Sequence, residues 1–254
     1  MIKHYTSFTY NNIKSGDMGV THVSLNSGLY EDAIGASRTL VEQISTQSDR
    51  RYYKRMSLEP FEFQMHILLN TKMTDAQIES IYAWLLQDYY KELYFENEID
   101  KIYYCMPVSN STITHNGNGE GYLTLNMRCY DAYLYSREIT RSFDLSTNVT
   151  AGTNVNLIND GHTDIYPILT ILAKEAVINI LNLTTNELTQ FTGLSVGETV
   201  TIDNYNEEIS TSVAGVHRYD NHNDIFLRIL KPNNNFKVTG KCVLTFRYRY
   251  RRKY

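Results

Sequence analysis

Alternation of apolar and polar side chains is the strongest signal in this chain. In FEFQMHI, residues 61–67, Phe61, Phe63, Met65 and Ile67 share one face, while Glu62, Gln64 and His66 share the other. In YLTLNMRC, residues 122–129, Leu123, Leu125, Met127 and Cys129 point one way, and Thr124, Asn126 and Arg128 the other. This two-residue period predicts half-buried antiparallel strands, because strands of a parallel sheet are covered on both faces and form continuous apolar runs. It also places His66 on a polar face and Cys129 inside, where a thiol behaves as a small hydrophobe.

A different period begins at residue 74. TDAQIESIYAWLLQDYY opens with a capping box, Thr74 accepting from the amide of Gln77 and the Gln77 side chain reaching back. Asp75 in the first turn complements the helix dipole. Ile78, Ile81, Leu85 and Tyr89 then recur at helical spacing with Tyr82 and Leu86 beside them, which predicts an amphipathic helix of about four turns. Trp84 is expected to serve packing or a subunit contact. After it, KELYFE and DKIYYCMPV predict strands, and THNGNGEGYLTL a turn feeding the next one. The run GNGEG superficially resembles a dinucleotide loop, but no helix follows it, so it is expected to be a hairpin connection.

Near residue 140 the texture changes. TRSFDLSTNVTAGTN is short of bulky residues and reads as a boundary, with NVNLIN, YPILTILA, AVINILN, ELTQFT, ETVTID, DIFLRIL, NFKVTG and CVLTFRYRY as short strands beyond it. Close spacing with Gly, Asn and Pro between strands predicts an all-β sandwich. The expected organisation is therefore mainly β, with two domains, 1–140 and 141–254, and one helix in the first.

Composition sharpens this picture in two places. The 21 tyrosines among 254 residues, beside many Thr, Ile and Val, support a β-rich fold. The net charge of −4 offers no basic field to capture nucleic acid. Cys105, Cys129 and Cys242 are odd in number and form no C-x-x-C, as expected of a protein made in a reducing cytoplasm. No apolar stretch reaches the roughly 18 residues of a spanning helix, and MIKHYTSFTYNN has no secretory apolar run. The chain is expected to be soluble as translated and to need no membrane.

Candidate chemistry is sparse. No G-x-S-x-G, P-loop, H-E-x-x-H or EF-hand calcium loop is present, and NEID and NEEI are expected to be turn acids. HRYDNHND, residues 217–224, places His217, Asp220, His222 and Asp224 within reach of one ion. That is the enzyme alternative, a metal hydrolase. Asn, Asp and His are also what loops between strands are made of, since their side chains satisfy loop backbone, and a catalytic metal needs convergent ligands on a rigid scaffold. The loop reading is preferred, with no metal, cofactor or catalytic residue assigned. At the C-terminus, TFRYRYRRKY puts Phe246, Tyr248 and Tyr250 on one strand face and Arg247, Arg249 and Arg251 on the other. Arginine among aromatics can bind single-stranded nucleic acid, but without a wider basic footprint these arginines are expected to be solvated or to pair at a subunit contact.

The order of elements resembles the phage distal tail protein family, the hub proteins at the tip of long phage tails. FTYNNIKSGDMGVTHVSL, RRYYKRMSLEPFEFQMHILL, YAWLLQDYYKELYF, IYYCMPV and HNGNGEGYLTLNMRCYDAYLYS are similar to its N-terminal half. FDLSTN, LINDGHTDIYPILTI, GETVTIDNYNEEI, HRYDNHNDIFLRILKPNNNFKVTG and KCVLTFRYRYRRK are similar to its C-terminal half. The resemblance implies a tail-tube-like β-barrel or sandwich domain forming a ring, expected to be hexameric, and a galectin-like β-sandwich projecting outward. It implies a virion protein of the tail tip or baseplate, made in the host cytoplasm. Its partners would be the tail tube protein, a tail-associated lysin or fibre protein and receptor-binding proteins, with DNA sliding through the channel unbound. The stretch QISTQSDRRYYKRMSLEP then becomes a candidate arm to a neighbouring subunit, with Arg50, Arg51 and Arg55 available for pairing. A carbohydrate-binding module acting through tyrosines of the second domain is the alternative. Galectins stack sugar on a tryptophan of that domain, whereas the single tryptophan here, Trp84, lies in the first.

Overall fold

The computed structural model describes residues 7–25, 35–45, 48–70, 72–116, 118 and 120–253. Residues 1–6 of the N-terminal stretch, Thr46 and Gln47 of the candidate arm, and Gly117 and Gly119 of GNGEG lie outside the described residues. The chain divides into two compact units, residues 1–135 with 253–254, and residues 136–252. Among the described residues it is mainly strand, with one α-helix.

The first unit contains β1 (Phe8–Tyr10), β2 (Ile13–Lys14), β3 (Val20–Val23), β4 (Arg38–Ser45), β5 (Ser48–Leu58), β6 (Glu62–Leu69), α1 (Asp75–Leu85), β7 (Lys91–Phe95), β8 (Tyr103–His115), β9 (Gly121–Cys129) and β10 (Tyr133–Tyr135). Seven of them form one antiparallel sheet in the order β2-β1-β7-β8-β9-β6-β3. The alternation in FEFQMHI and YLTLNMRC becomes the inner face of β6 and β9, with Met65, Ile67, Leu123, Leu125, Met127 and Cys129 buried. Cys105 and Cys129 face each other across β8 and β9. Gly121 opens β9 because the chain crosses tightly there: a Cβ would lie 2.3 Å from the Thr114 carbonyl.

The helix begins as its capping box predicts, the Gln77 amide donating to the Thr74 hydroxyl and the Thr74 amide to the Gln77 side chain at 2.9 Å. It ends at Leu85, short of the expected four turns. The Gln87 side chain folds back and donates through its amide NH2 to the carbonyls of Ala83 and Trp84 at 2.9 and 3.0 Å, which satisfies the last turn early. Ile81, Trp84 and Leu85 are buried against the inner sheet face, whereas Leu86 and Tyr89, assigned to the apolar stripe by their spacing, are exposed. Trp84 is a core residue. It stacks on Phe8 with 5.7 Å between centroids, and its indole N–H donates to the Tyr10 carbonyl at 2.8 Å.

The second unit comprises β11 (Ile139–Leu145), β12 (Thr153–Ile158), β13 (Ile168–Ala173), β14 (Ile178–Asn182), β15 (Leu188–Phe191), β16 (Thr199–Asp203), β17 (Glu208–Thr211), β18 (Asn233–Thr239), β19 (Cys242–Tyr248) and β20 (Arg251–Lys253), the last running to the edge of the unit. A five-stranded sheet, β11-β19-β13-β16-β17, and a four-stranded one, β12-β18-β14-β15, enclose a single core. Leu169, Ile171, Val200 and Phe246 meet Val155, Ile180, Phe236 and Val238 between the sheets, which makes a β-sandwich.

Three expectations are corrected here. The stretch expected to be a boundary, beginning at Thr140, holds β11, which pairs along its length with β19 despite its small residues. NEEI is not only turn: Glu208 and Ile209 open β17, with Ile209 buried. DIFLRIL is not a strand. Leu227 and Ile229 alternate inward, but apart from one bridge between Ile229 and Ile165 and the Thr189 hydroxyl on the Ile225 carbonyl, the backbone bonds described go to asparagine side chains. Asn204 accepts from the Leu227 amide at 2.7 Å, Asn159 donates to the Ile229 carbonyl at 3.1 Å, and Asn234 brackets Leu230 at 2.8 and 2.6 Å. Side-chain amides imitate a ladder without forming one.

Candidate assembly interface

The sheet of the first unit has a second face, built from the polar half of the same alternation. Glu62 pairs with Arg128 at 3.0 Å, Gln64 with Asn126 at 3.3 Å, His66 with Thr124 at 3.1 Å and Glu92 with Tyr104 at 2.6 Å, each directly across neighbouring strands. Partial burial pushes the pKa of His66 below its usual value. On this face Arg128 matches Glu62, the Tyr104 phenol holds Glu92, and neutral amides and hydroxyls lie between them, which gives a wetted polar surface without a basic field.

Among the described residues the strands β4 and β5 pair only with each other. At about 3.3 Å per residue the eleven residues of β5 span roughly 35 Å. Leu40, Ile44, Tyr52, Tyr53 and Met56 are all exposed, Tyr53 at 67% and Ile44 at 63%. Leu40 and Met56 share one face with Ile44 and Arg51; Val41 and Arg55 share the other with Gln43 and Tyr52. Arg51 reaches Glu42 at 3.3 Å across the ribbon, and Arg50 and Arg55 are exposed. A two-stranded ribbon is at best marginal in water, and apolar side chains gathered on an exposed element mark a contact surface.

HRYDNHND is brought together by a different logic from metal binding. Among the described residues no three His, Cys, Asp or Glu side chains are arranged to hold a metal ion. The segment lies along β15, the edge strand of the four-stranded sheet, and serves it as a surrogate neighbour. Asn223 accepts from the Gln190 amide at 3.0 Å, donates through its side chain to the Leu188 carbonyl at 2.6 Å, and donates its own amide to the Gln190 carbonyl at 3.3 Å. The Asn221 carbonyl takes the Thr192 amide at 2.9 Å. Arg218 anchors the start of the segment. Its guanidinium makes two 2.7 Å bonds to the fully buried Glu198 carboxylate, which also accepts from Thr211 at 2.6 Å and the Ser195 amide at 2.8 Å. Those bonds, Arg218 first, hold the Glu198 carboxyl down at about 2.

Comparison with known proteins follows from this geometry. Residues 3–131 match a family model described as a phage tail protein N-terminal domain, and residues 133–248 match a phage tail C-terminal domain. The chain belongs to this family of phage tail proteins. It is accordingly a component of the virion. The SPbeta prophage-derived protein YomH of Bacillus subtilis (strain 168) is 29% identical over 255 residues, covering 99% of each chain. The fold is that of the SPP1 Dit protein (gp 19.1), described as a paradigm of the hub adsorption apparatus in phages infecting Gram-positive bacteria. The TM-score is 0.69 over 97% of this chain and 100% of that one, at 16% identity. A chain of the phage P2 baseplate in its activated conformation with Ca also matches, with TM-score 0.52 and 10% identity over 97% and 98% of the two chains.

In this phage tail protein the C-terminal arginines are not one row. Strand β19 stops at Tyr248, and Arg249 and Tyr250 interrupt the alternation before β20. Phe246 and Tyr248 are buried and Arg247 is exposed, as the period requires, but Arg249 and Arg251 are half-buried. The Arg251 guanidinium lies 5.6 Å from the centre of the exposed Tyr205 ring, which meets Tyr166 edge-on at 6.1 Å. Neither tyrosine stood out in the sequence, because Tyr205 sits in a turn and Tyr166 in the irregular stretch before β13. Asn204 ties the two together, donating to the Pro167 carbonyl at 2.6 Å.

Proposed function

We propose that the protein is a structural hub of the tail tip. Copies close into a ring, expected to be hexameric, around the DNA channel, and the ring joins the tail tube above to a fibre or lysin protein and the baseplate below. No bond is made or broken. The observation that supports this most is the end-to-end likeness of fold to a tail hub protein across both units. In this reading the first unit forms the ring and the second, as a galectin-like sandwich, carries peripheral partners such as receptor-binding proteins. The matched polar face of the seven-stranded sheet suits a channel wall that must let DNA slide, since an unmatched basic wall would retain phosphates. The β4–β5 ribbon is the arm. A ring requires a heterologous contact, one surface of each copy on a different surface of the next, and the ribbon carries the apolar residues for it with Arg50, Arg51 and Arg55 beside them.

Native mass measurement and negative-stain images test this together. The wild-type protein, alone or with its tail tube partner, is expected to form rings. The double substitution Leu40→Ser and Tyr53→Ser should leave monomers with unchanged circular dichroism and a stability change within about 0.5 kcal/mol, as for exposed positions. A wild type that stays strictly monomeric with its partners, or rings that tolerate both substitutions, would overturn it.

A second reading rests on Tyr166 and Tyr205. Exposed aromatic rings tied together by Asn204, with guanidinium and carboxylate groups nearby, have the composition of a sugar-binding platform. Saturable binding of the full-length protein to host cell wall, lost in Tyr166→Ala with Tyr205→Ala, is expected if the outer unit grips glycan. Absence of wild-type binding would leave that unit as a docking platform.

A further inference from the structure

The imidazole of His222 is buried, with 7% of the residue exposed, and neither ring nitrogen has a hydrogen-bond partner. It lies between Phe191, 4.6 Å away, and Phe226, 4.9 Å away, centre to centre. The Ile225 carbonyl, which weakly favours a charged ring, already accepts from the Thr189 hydroxyl at 2.8 Å. A polar ring in such a place is tolerated neutral and expelled when charged. Around it, the four outward backbone groups of β15 and the residue after it, at Leu188, Gln190 and Thr192, are satisfied by Asn221 and Asn223 alone of the strap. One aromatic-sandwiched imidazole therefore sits beneath the residues that close a sheet edge.

We propose that residues 217–225 are an acid-released cover for the edge of β15, with His222 as the group whose protonation frees it. Phe191 on β15 and Phe226 beyond the strap are uncharged. Asp224, on the strap itself, is the charged group acting on the ring, and its attraction is outweighed by burial, which pushes the His222 pKa below its ordinary 6.5. The Glu198 carboxylate at the start of the strap stays ionised through this range, and Arg218, bonded to it, also donates to the Asn221 side chain and the Gly193 carbonyl at 3.1 Å each. A histidine with a depressed folded pKa leaves the closed strap fully stable above about 6.5, and weakens it as pH falls below that value. The opening constant then grows by at most about tenfold per pH unit until the folded pKa is reached. Opening bares the Phe191 and Phe226 rings and an unpaired strand edge, a surface ready to take another strand. Arg218 keeps the strap tethered at one end, so it swings away without unfolding the sandwich.

Hydrogen exchange of the full chain at pH 7.5 and 5.0, corrected for the intrinsic pH dependence of exchange, reads this directly. The amides of Gln190 and Thr192 are expected to lose about tenfold or more of their protection at pH 5.0, while those of Ile171 and Val200 in the opposite sheet hold. In His222→Phe, which fills the aromatic slot with a ring that cannot charge, Gln190 and Thr192 should stay protected at both pH values. Unchanged protection in the wild type, or equal loss in the variant, would overturn the proposal. If His222→Phe does not fold, titration of the His222 Cε1 proton in the wild type decides. A midpoint below 6.5 with loss of strap signals at the same pH supports it, and a midpoint at or above 6.5 overturns it.

Discussion

Replacing Glu198 with alanine is expected to cost about 3–5 kcal/mol of stability, the usual price of leaving one member of a buried ion pair without its partner. Arg218 would be left in a site with 11% of its side chain exposed and its two 2.7 Å bonds gone. The Thr211 hydroxyl and Ser195 amide would lose their acceptor as well. Arg218→Ala should be of similar size, because it strands a carboxylate that has no exposure at all. The two losses should not add: with both side chains replaced by apolar ones of like volume the cost should shrink, since neither charge then needs hydrating. The sign of the pH dependence is fixed by the depressed carboxyl. With the folded value at about 2 against an ordinary 4.5, the pair's contribution is present above pH 4.5 and drains away as pH falls toward 2, on the order of 3 kcal/mol in all. Urea unfolding followed by circular dichroism at pH 7, 4 and 2.5 checks both statements. Equal stability of wild type and Glu198→Ala at pH 7 would refute them.

Trp84→Ala should be comparably severe, about 3–5 kcal/mol, as for other large aromatic truncations in a core. The ring is 4% exposed and lies parallel to Phe8 within 7°, with Tyr10 tilted against it at 6.4 Å, so its removal opens a cavity between α1 and β1. It also takes from the Tyr10 carbonyl the donor that the indole N–H supplies at 2.8 Å. Trp84→Phe separates the two losses: it keeps an aromatic in the stack and removes only the donor, and should cost markedly less. Because Trp84 is the single tryptophan, circular dichroism and not fluorescence must report the midpoints. A shift of the alanine variant below about 1 kcal/mol would return Trp84 to the role of a surface contact.

What was legible in the sequence was whatever a side-chain period or a local cap writes down. Alternation located β6 and β9 and the face each buries, and Thr74 with Gln77 located the start of α1, because those signals depend on neighbours a few residues away. The end of α1 was overrun, since Leu86 and Tyr89 continue the helical spacing although Gln87 has already closed the last turn. DIFLRIL shows the opposite failure: its burial alternates as predicted, but Asn159, Asn204 and Asn234, remote in sequence, take the place of a partner strand. The β4–β5 ribbon was recognised only as an extended stretch, because a strand pair that faces water on both sides has no apolar period to reveal it. HRYDNHND was legible as loop chemistry and not as an edge cover, for Asn223 earns that role only once β15 lies beside it.

The cysteines carry one more consequence. Cys105 and Cys129 lie in hydrogen-bond contact within the first core, and burial, then each other's company, drives the Cys105 thiol well above its usual pKa. Cys242, deep in the other core, is pushed up to about 12 by burial. Thiolate is the reactive form, so at neutral pH Cys105 and Cys242 offer almost none of it to an oxidant or an alkylating reagent, and Cys129 is shielded by burial. A particle assembled among reductants and then shed into air can therefore age in storage without scrambled cross-links at this component.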